Sequence, residues 1–248
     1  MGLLKNTLLK FVPAKVVLKL YGLREVVAAK RIFYSLEGED IVLDNIFQNQ
    51  PKGFYIDIGA NHPKMHSNSY LFYKKGWRGI NVDAAPGSMQ LFSVFRKRDI
   101  NLERPVSDKV EKLTYFMFDQ PRVNTFSEDL ANERTRTTTY KIIDRVEIET
   151  STLKKILDEY LPEKTTIDFM SIDVEGFDYR VLLSNDWEKY IPRVIVVEEL
   201  EHADNNDSPF IYKFLLSKGY QLVAKTGNSC IYCLASDLNL GKYVACKL

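Results

Sequence analysis

From position 53 onward, the spacing of hydrophobic residues changes repeatedly between two patterns. Short apolar runs that end in a polar residue predict β-strands at 53–58, 79–83, 100–107, 167–173 and 193–198. Between these runs, apolar residues recur every three to four positions and predict helices at 69–75, 88–97, 151–161, 177–184 and 208–218. Strands that alternate with helices are typical of a parallel sheet covered on both faces. The pattern therefore predicts an α/β fold with a mostly parallel sheet.

The C-terminal part of the chain departs from this alternation. Two apolar runs, 220–225 and 229–235, flank a turn signal at 226–228 and predict an antiparallel hairpin. Cys230 and Cys233 lie three positions apart in the second run, so in a strand they point to opposite faces. We therefore expect two buried thiols that form neither a metal site nor a redox pair.

The sequence predicts a basic, leucine-rich helical extension at residues 1–36, ahead of a domain at 37–248. Residues 1–31 hold seven basic residues and one acidic residue, a net charge of +6. Their apolar positions follow an amphipathic helical pattern that is broken near Pro13. Such a helix fits attachment to an anionic membrane surface, and it also fits packing on the domain or on a second subunit. The sequence leaves both interpretations open.

Composition and charge narrow the class of protein. The chain has 248 residues, of which 45% are hydrophobic, enough for the core of one large domain. Its 34 basic and 33 acidic residues leave a net charge of +1, so no nucleic-acid partner is expected. No apolar run reaches the roughly 18 residues that cross a bilayer, and three cysteines fit a reducing compartment. We expect a cytoplasmic protein, peripheral at the inner membrane face if residues 1–31 bind lipid.

Residues 119–141 interrupt the pattern with polar residues that follow no clear period. A stretch of this length inside a compact domain is usually functional or disordered, so we interpret it as a substrate-loop insertion. Its basic residues suit contacts to phosphate or carboxylate groups of a substrate, and a solvated charged loop fits as well. The basic residues in or beside it are Arg122, Arg134, Arg136, Lys141 and Arg145.

Four predicted strands end in a carboxylate. The carboxyl ends of parallel strands meet at one edge of a sheet, where open α/β proteins bind their ligands. We therefore expect these side chains to converge on one crevice. The four residues are Asp57, Asp83, Asp173 and Glu198.

The turn after the first predicted strand discriminates among nucleotide ligands. A dinucleotide fingerprint needs glycine at 61 and 64, where this chain has Asn61 and Lys64. A single glycine, Gly59, lets the backbone turn, but it forms no cradle for a pyrophosphate. S-adenosylmethionine has no phosphate, and its ribose hydroxyls favour a carboxylate such as Asp83, which ends the second strand. The sequence thus favours S-adenosylmethionine over NAD as the cofactor.

Several segments, in the same order, resemble the FkbM family of class I methyltransferases. They cover roughly residues 37–235 and include GFYIDIGANHP (53–63), SNSYLFYKKGWRGINVDAAPGSM (67–89) and IDFMSIDVEGFDYRVL (167–182). The run SIDVEGFD after a strand is the most specific of them. The resemblance implies a Rossmann-like class I methyltransferase fold. It also implies a reaction, which in most family members is O-methyl transfer to sugars, polyketides or other secondary metabolites.

The resemblance implies a role for individual residues as well. Around the methionine part of the cofactor it places Asp57, Gly59, Ala60, Asn61 and Ser69. On the ribose it places Asp83, and near the adenine it places Ser107 and Asp108. Its D-V-E-G motif at the fourth core strand contributes Asp173, a further cofactor contact, and Glu175.

Methyl transfer to a hydroxyl needs a group that accepts the proton, and four residues are candidates for this catalytic role. They are Asp173, Glu175, Glu198 and His62. Either one of them is a general base, or Asp173, Glu175 and Glu198 hold Mg²⁺ or Mn²⁺, which lowers the pKa of the hydroxyl. Asp173 and Glu175 share a face if the backbone between them is extended. For two of these residues a structural role is the alternative to catalysis. Glu175 also fits the cap of a helix, and His62 also fits a hydrogen-bonded loop residue.

We therefore predict an S-adenosylmethionine-dependent O-methyltransferase. Its expected substrate is a small molecule or glycan: a sugar or glycan hydroxyl, as in a nucleotide sugar or a surface-polysaccharide precursor, or a related secondary metabolite. The alternative is a noncatalytic scaffold protein that keeps the fold and binds the cofactor. Retention of all the strand-end carboxylates favours the enzyme.

Overall fold

The computed structural model of the protein describes residues 32–199 and 208–237, with the backbone alone for Ser208. The predicted amphipathic helix at 1–31 lies outside the described residues, and so does its membrane or dimer contact. Within the described ranges, no helix has the length and apolar character that a membrane span requires.

Helices and strands alternate along most of the described chain. The helices are α1 Glu39–Ile46, α2 Tyr70–Lys74, α3 Met89–Phe95, α4 Glu128–Thr137, α5 Leu153–Tyr160, α6 Asp178–Leu183 and α7 Ser208–Ser217. The strands are β1 Phe54–Ile58, β2 Arg78–Asp83, β3 Ile100–Glu103, β4 Lys112–Phe118, β5 Ile142–Glu149, β6 Phe169–Ile172, β7 Val194–Glu198, β8 Tyr220–Lys225 and β9 Ser229–Leu234. A short 3-10 helix, Pro121–Val123, precedes α4.

Seven of these strands form one sheet in the order β3-β2-β1-β6-β7-β9-β8. The first five strands in this order are parallel, and β9 runs antiparallel to both β7 and β8. The predicted α/β fold, its mostly parallel sheet and its C-terminal antiparallel hairpin are thus confirmed. Cys230 and Cys233 are both buried within β9, as expected.

The central strands are buried on both faces because helices cover each side of the sheet. In β1, Ile56 and Ile58 pack in an apolar cluster that includes residues of α5 and α6. Tyr55, on the opposite face, packs in a second cluster that includes residues of α1 and α2. Burial on both faces explains why these strands are nearly continuous apolar runs in the sequence.

The loops that follow β1 and β6 meet at the point where the order of the strands reverses. From β1 the chain continues outward to β2 and β3, and from β6 it continues in the other direction to β7. A Cβ atom on Gly59 would lie 1.7 Å from the carbonyl oxygen of Asp173, so only glycine fits between the two loops. The φ of 83° at Gly59 also lies in the left-handed region that favours glycine.

A two-stranded ribbon of β4 and β5 is separate from this sheet, and neither strand was predicted from the sequence. The polar stretch 119–141 links the two strands and contains α4, whose first turn is capped by Ser127, since the Ser127 Oγ accepts a hydrogen bond from Leu130 N. Of the residues of α4, only Leu130 and Ala131 are buried, so the helix carries no apolar period. No residue of β5 is fully buried, so its apolar positions show only a weak alternation in the sequence.

We expect Gly59→Ala to lower the free energy of unfolding by at least about 3 kcal/mol, because the new methyl group collides with a backbone atom. Gly76→Ala is the matched control: Gly76 also has a positive φ, of 96°, but no described atom lies within 4 Å of its added Cβ. The control should therefore show only the conformational cost, about 1 to 2 kcal/mol. Urea unfolding of both variants measures the difference, and equal costs would contradict the proposed close contact.

Candidate functional site

A crevice of about 430 Å³ lies at the carboxyl ends of the parallel strands. This volume lies in the range of small-molecule sites, and the position is the usual one in open α/β sheets. Of the four strand-end carboxylates, Asp83, Asp173 and Glu198 line the crevice. Asp57 is buried behind it and accepts a hydrogen bond from Ser69 Oγ.

Asp83 is fixed by the backbone of the loops around it. Its Oδ2 accepts a hydrogen bond from Asn61 N at 2.9 Å, and its Oδ1 accepts one from Ala85 N at 2.8 Å. Each carboxylate oxygen has a further lone pair, so the side chain can still accept hydrogen bonds from a ligand in the crevice. Burial raises the pKa of Asp83, and the two backbone bonds oppose this shift.

The residues that were assigned to the cofactor from the family resemblance divide into two groups. Lining the crevice are Gly59, Asn61, Asp83 and Asp173. Lying outside its lining are Asp57, Ala60, Ser69, Ser107 and Asp108. The Ser107 hydroxyl donates to Asp108 at 3.0 Å, while the nearby Arg104 and Val106 line the crevice instead. The predicted adenine contacts of Ser107 and Asp108 therefore stay a prediction.

His62 stabilises the loop after β1 and lies outside the crevice lining. Its Nδ1 accepts hydrogen bonds from Lys64 N at 3.1 Å and Met65 N at 3.0 Å, which requires an unprotonated Nδ1. Partial burial lowers the pKa of His62, and the nearby His66 and Lys64 lower it further. Among the described histidines, His66 lines the crevice, whereas the sequence prediction named His62 as the catalytic candidate.

Asp173, Glu175 and Glu198 form an acidic cluster in the crevice. One oxygen of each carboxylate lies within 4.8 Å of the others, which is close enough for all three to bind one metal ion. Asp173 is reached by solvent within the concave site, although protein surrounds it. This environment desolvates the carboxylate and raises its pKa well above the ordinary value, and the charge of Glu175 adds to the shift.

Glu198 is half-buried, and its Oε2 has no hydrogen-bond partner among the described residues. Burial and the charge of Asp173 raise the pKa of Glu198 well above its ordinary value, while Arg134 opposes the shift. An unpaired carboxylate oxygen at a strand end is costly for the fold. Glu198 also lines the crevice, which makes this side chain a candidate for contact with a ligand.

Glu175 is held by the 119–141 segment. Its φ is 55°, so the backbone after Asp173 is not extended and the expected shared face does not arise in that way. Its carboxylate accepts a hydrogen bond from Arg134 Nη2, and its carbonyl oxygen accepts one from Thr125 Oγ1 at 2.7 Å. The N-cap position of the next helix is Phe177, and the carboxylate of Glu175 forms an ion pair with Arg134.

One face of α4 forms a wall of the crevice. The spacing of its lining residues matches successive turns of a single helix face. They are Leu130, Glu133, Arg134, Thr137 and Thr138. Of the basic residues singled out in this segment, Arg122 also lines the crevice, whereas Arg136, Lys141 and Arg145 lie outside its lining.

The start of α1 and the turn of the C-terminal hairpin close another side of the crevice. Glu37 Oε2 accepts a hydrogen bond from Asn228 N at 2.8 Å, and Glu39 Oε1 accepts one from Thr226 Oγ1 at 3.1 Å. Glu37, Glu39, Asn228 and Ser229 all line the crevice. Two segments far apart in the sequence thus form one edge of the site.

A parallel sheet with a single-glycine turn and a crevice at its switch point defines a Rossmann-like α/β protein with a small-molecule site. The family model for the methyltransferase FkbM domain matches residues 57–222, more than half of the chain. The protein belongs to the FkbM methyltransferase family.

Comparison with solved structures includes a crystal structure of the methyltransferase FkbM from Methylobacillus flagellatus KT. The two chains are 13% identical and superpose with a TM-score of 0.48. The match covers 74% of this chain and 44% of that chain, so this chain spans less than half the length of that protein. No curated protein sequence matches this chain.

Three carboxylates in and beside the acidic cluster have raised pKa values, which predicts that the free energy of unfolding falls as pH rises. Burial raises the pKa of Asp178 to about 7, and the pKa values of Asp173 and Glu198 are also raised. Between about pH 4 and about pH 7 the folded state therefore holds protons that the unfolded state has lost, and each carboxylate costs up to about 1.4 kcal/mol per pH unit. We expect the free energy of unfolding, measured in urea, to decrease across this window.

Glu198→Gln should flatten this decrease because it removes one of the titrating groups. Asp144→Asn, at an exposed position on β5, is the control and should leave the slope unchanged. A free energy of unfolding that rises with pH across the same window would show that these carboxylates are ionised in the folded protein.

Proposed function

We propose that the protein is an S-adenosylmethionine-dependent methyltransferase that methylates a hydroxyl group of a sugar, a glycan or a related secondary metabolite. The observation that carries this proposal is the position of Asp83. It is a strand-end carboxylate in the crevice, and the backbone of the single-glycine turn holds it in place. Membership in the FkbM methyltransferase family supports the same reaction.

The residues of the crevice fit the cofactor by their chemistry. Asp83 would accept hydrogen bonds from the two ribose hydroxyls, since both of its oxygens retain a lone pair. Gly59 and Asn61 would offer backbone and amide groups to the amino acid end, and Val106 and Tyr115 would offer apolar surface to the adenine. When bound, S-adenosylmethionine supplies an electrophilic methyl group on a sulfonium centre.

Asp173 and Glu198 are the groups that we propose to accept the proton of the hydroxyl. Their raised pKa values suit a general base, which works best when its pKa lies near the operating pH. Glu198 is the stronger candidate because its Oε2 has no hydrogen-bond partner among the described residues. Glu175 is less available, since its carboxylate is paired with Arg134.

The spacing of the three carboxylates is also compatible with a second mechanism, in which they hold a metal ion. Oxygen ligands from Asp173, Glu175 and Glu198 suit Mg²⁺ or Mn²⁺, and their oxygens lie within 4.8 Å of one another. In this version the three carboxylates would hold the ion, which would supply the positive charge that lowers the pKa of the acceptor hydroxyl. Arg134 already provides Glu175 with a positive charge, so the metal would have to compete with this ion pair.

Polar side chains around the crevice support a hydroxyl-rich acceptor. His66, Asn68, Thr137 and Asn228 offer hydrogen-bonding groups at its walls. Arg122 would contact a phosphate or carboxylate, as in a nucleotide sugar.

We also propose a cytoplasmic location for the protein, with a peripheral membrane contact or a dimer contact through residues 1–31.

Isothermal titration with S-adenosylmethionine, S-adenosylhomocysteine and NAD tests the cofactor. We expect the first two to bind and NAD to give no signal. Asp83→Ala should weaken binding by roughly 1.5 to 3 kcal/mol, because it removes a charged acceptor. Glu103→Ala is a matched control: Glu103 ends β3 and also accepts a loop N–H, from Gly87 at 2.8 Å, but it lies outside the crevice lining. Equal losses in both variants would reject the ribose assignment.

Release of S-adenosylhomocysteine over a panel of nucleotide sugars tests catalysis. We expect Glu198→Gln to lower turnover by roughly 10²-fold with near-normal cofactor affinity, the usual effect of losing a positioned base. Glu199→Gln is the control at the next position, because Glu199 is buried and accepts a hydrogen bond from Tyr232 OH outside the crevice.

Loss of turnover in EDTA, restored by Mg²⁺ or Mn²⁺, would favour the metal mechanism. Cofactor binding without turnover of any hydroxyl acceptor would favour the scaffold alternative.

A further inference from the structure

Arg96 follows α3, and its guanidinium is fully buried. A buried charge is costly unless it is paired and its donors are satisfied. Arg96 Nε donates to Asp99 Oδ2 at 2.8 Å, and the side chain of Asp99 is also fully buried. The ion pair is thus enclosed on the face of the sheet that carries Tyr55.

The remaining donors of Arg96 connect this pair to two parts of the structure. Toward the sheet, Nη2 donates to Tyr55 OH at 2.8 Å and to Asn81 Oδ1 at 3.2 Å. Toward residues 59–69, here named the β1 loop, Nη1 donates to Pro63 O at 3.0 Å and Nη2 donates to Ser69 Oγ at 2.8 Å. The guanidinium therefore fastens both the middle and the end of the β1 loop to the sheet.

The β1 loop needs such an anchor because two of its residues have unfavourable backbone conformations. Asn61 and His66 have φ values of 49° and 52°, in the left-handed region. Both line the crevice, as does Asn68 from the same loop. Strained residues persist only where the surrounding structure holds them, and they cluster at functional sites.

We propose that Arg96 is a positioning residue for the cofactor side of the crevice. It holds the β1 loop so that Asn61, His66 and Asn68 face the ligand. Through Ser69, whose hydroxyl donates to Asp57, it also orients that buried carboxylate. A planar guanidinium has five N–H donors, of which the two on Nη2 are shared among three acceptors, whereas a lysine ammonium has only three donors. The ligand part of this proposal rests on the proposed S-adenosylmethionine site.

Arg96→Lys tests the proposal because it keeps the charge beside Asp99 and loses donors. We expect faster hydrogen exchange in the β1 loop of the ligand-free protein. We also expect the dissociation constant for S-adenosylhomocysteine to rise by about 10-fold or more. Arg98→Lys is the matched control two residues away, since Arg98 is exposed and lies over the ring of Tyr73. It should change neither quantity by more than about twofold.

A second pair of variants separates positioning from simple stability. Tyr55→Phe removes a sheet-side partner of Arg96, and Ser69→Ala removes a loop-side partner. Both should lower the melting temperature, but only Ser69→Ala should weaken binding. Combined with Arg96→Lys, Ser69→Ala should add little further loss of affinity, because both changes break the same connection.

Unchanged exchange in the β1 loop of Arg96→Lys, or a lower melting temperature with unchanged affinity, would overturn the positioning role. If Arg96→Lys does not fold, the contrast between Ser69→Ala and Tyr55→Phe decides, and equal effects of the two on affinity would overturn it. If the parent protein binds no S-adenosylhomocysteine, the proposed function fails. The exchange measurement on the ligand-free protein still tests whether Arg96 anchors the loop.

Discussion

The contact between Gly59 and the carbonyl of Asp173 is the constraint on which the crevice depends. It brings together the loops after β1 and β6, at the place where the strand order reverses. The loop after β1 then continues to Asn61, whose N–H binds Asp83 at the end of β2. Because β7 is parallel to β6, Glu198 at the end of β7 lies at the same edge of the sheet as Asp173. One close approach of backbones thus aligns groups from four strands.

The parts of this arrangement that could be predicted are those with a strong local pattern. The parallel strands are apolar runs because they are buried on both faces, and each of their carboxylates follows such a run directly. Asp83, Asp173 and Glu198 were therefore recognisable as residues of one crevice. Asp57 shares the same pattern but lies behind the crevice, since the face of β1 to which it belongs packs toward Ser69.

The parts that could not be predicted depend on contacts between distant residues. Arg96 occupies a helix end where an exposed arginine is the usual expectation, and only the folded chain places Tyr55, Asn81 and Pro63 around it. Glu175 was predicted to share a face with Asp173 if the backbone between them was extended. Its backbone is instead left-handed, and Glu175 contacts Arg134 and Thr125 from a segment with no apolar period. Helix α4, which contains Arg134, is easier to predict from its Ser127 cap than from its hydrophobic pattern.

The hydrogen bond between Glu37 and Asn228 joins residues that are 191 positions apart. A ribosome adds roughly 5 to 20 residues per second, so the interval between the synthesis of these two residues is roughly 10 to 40 seconds. Late in that interval, once β6 has been synthesised, the nascent chain holds β1, β2 and β6 without the hairpin that completes the edge of the site. Ligand binding that uses the whole crevice would therefore begin to stabilise the fold only after the hairpin has been synthesised.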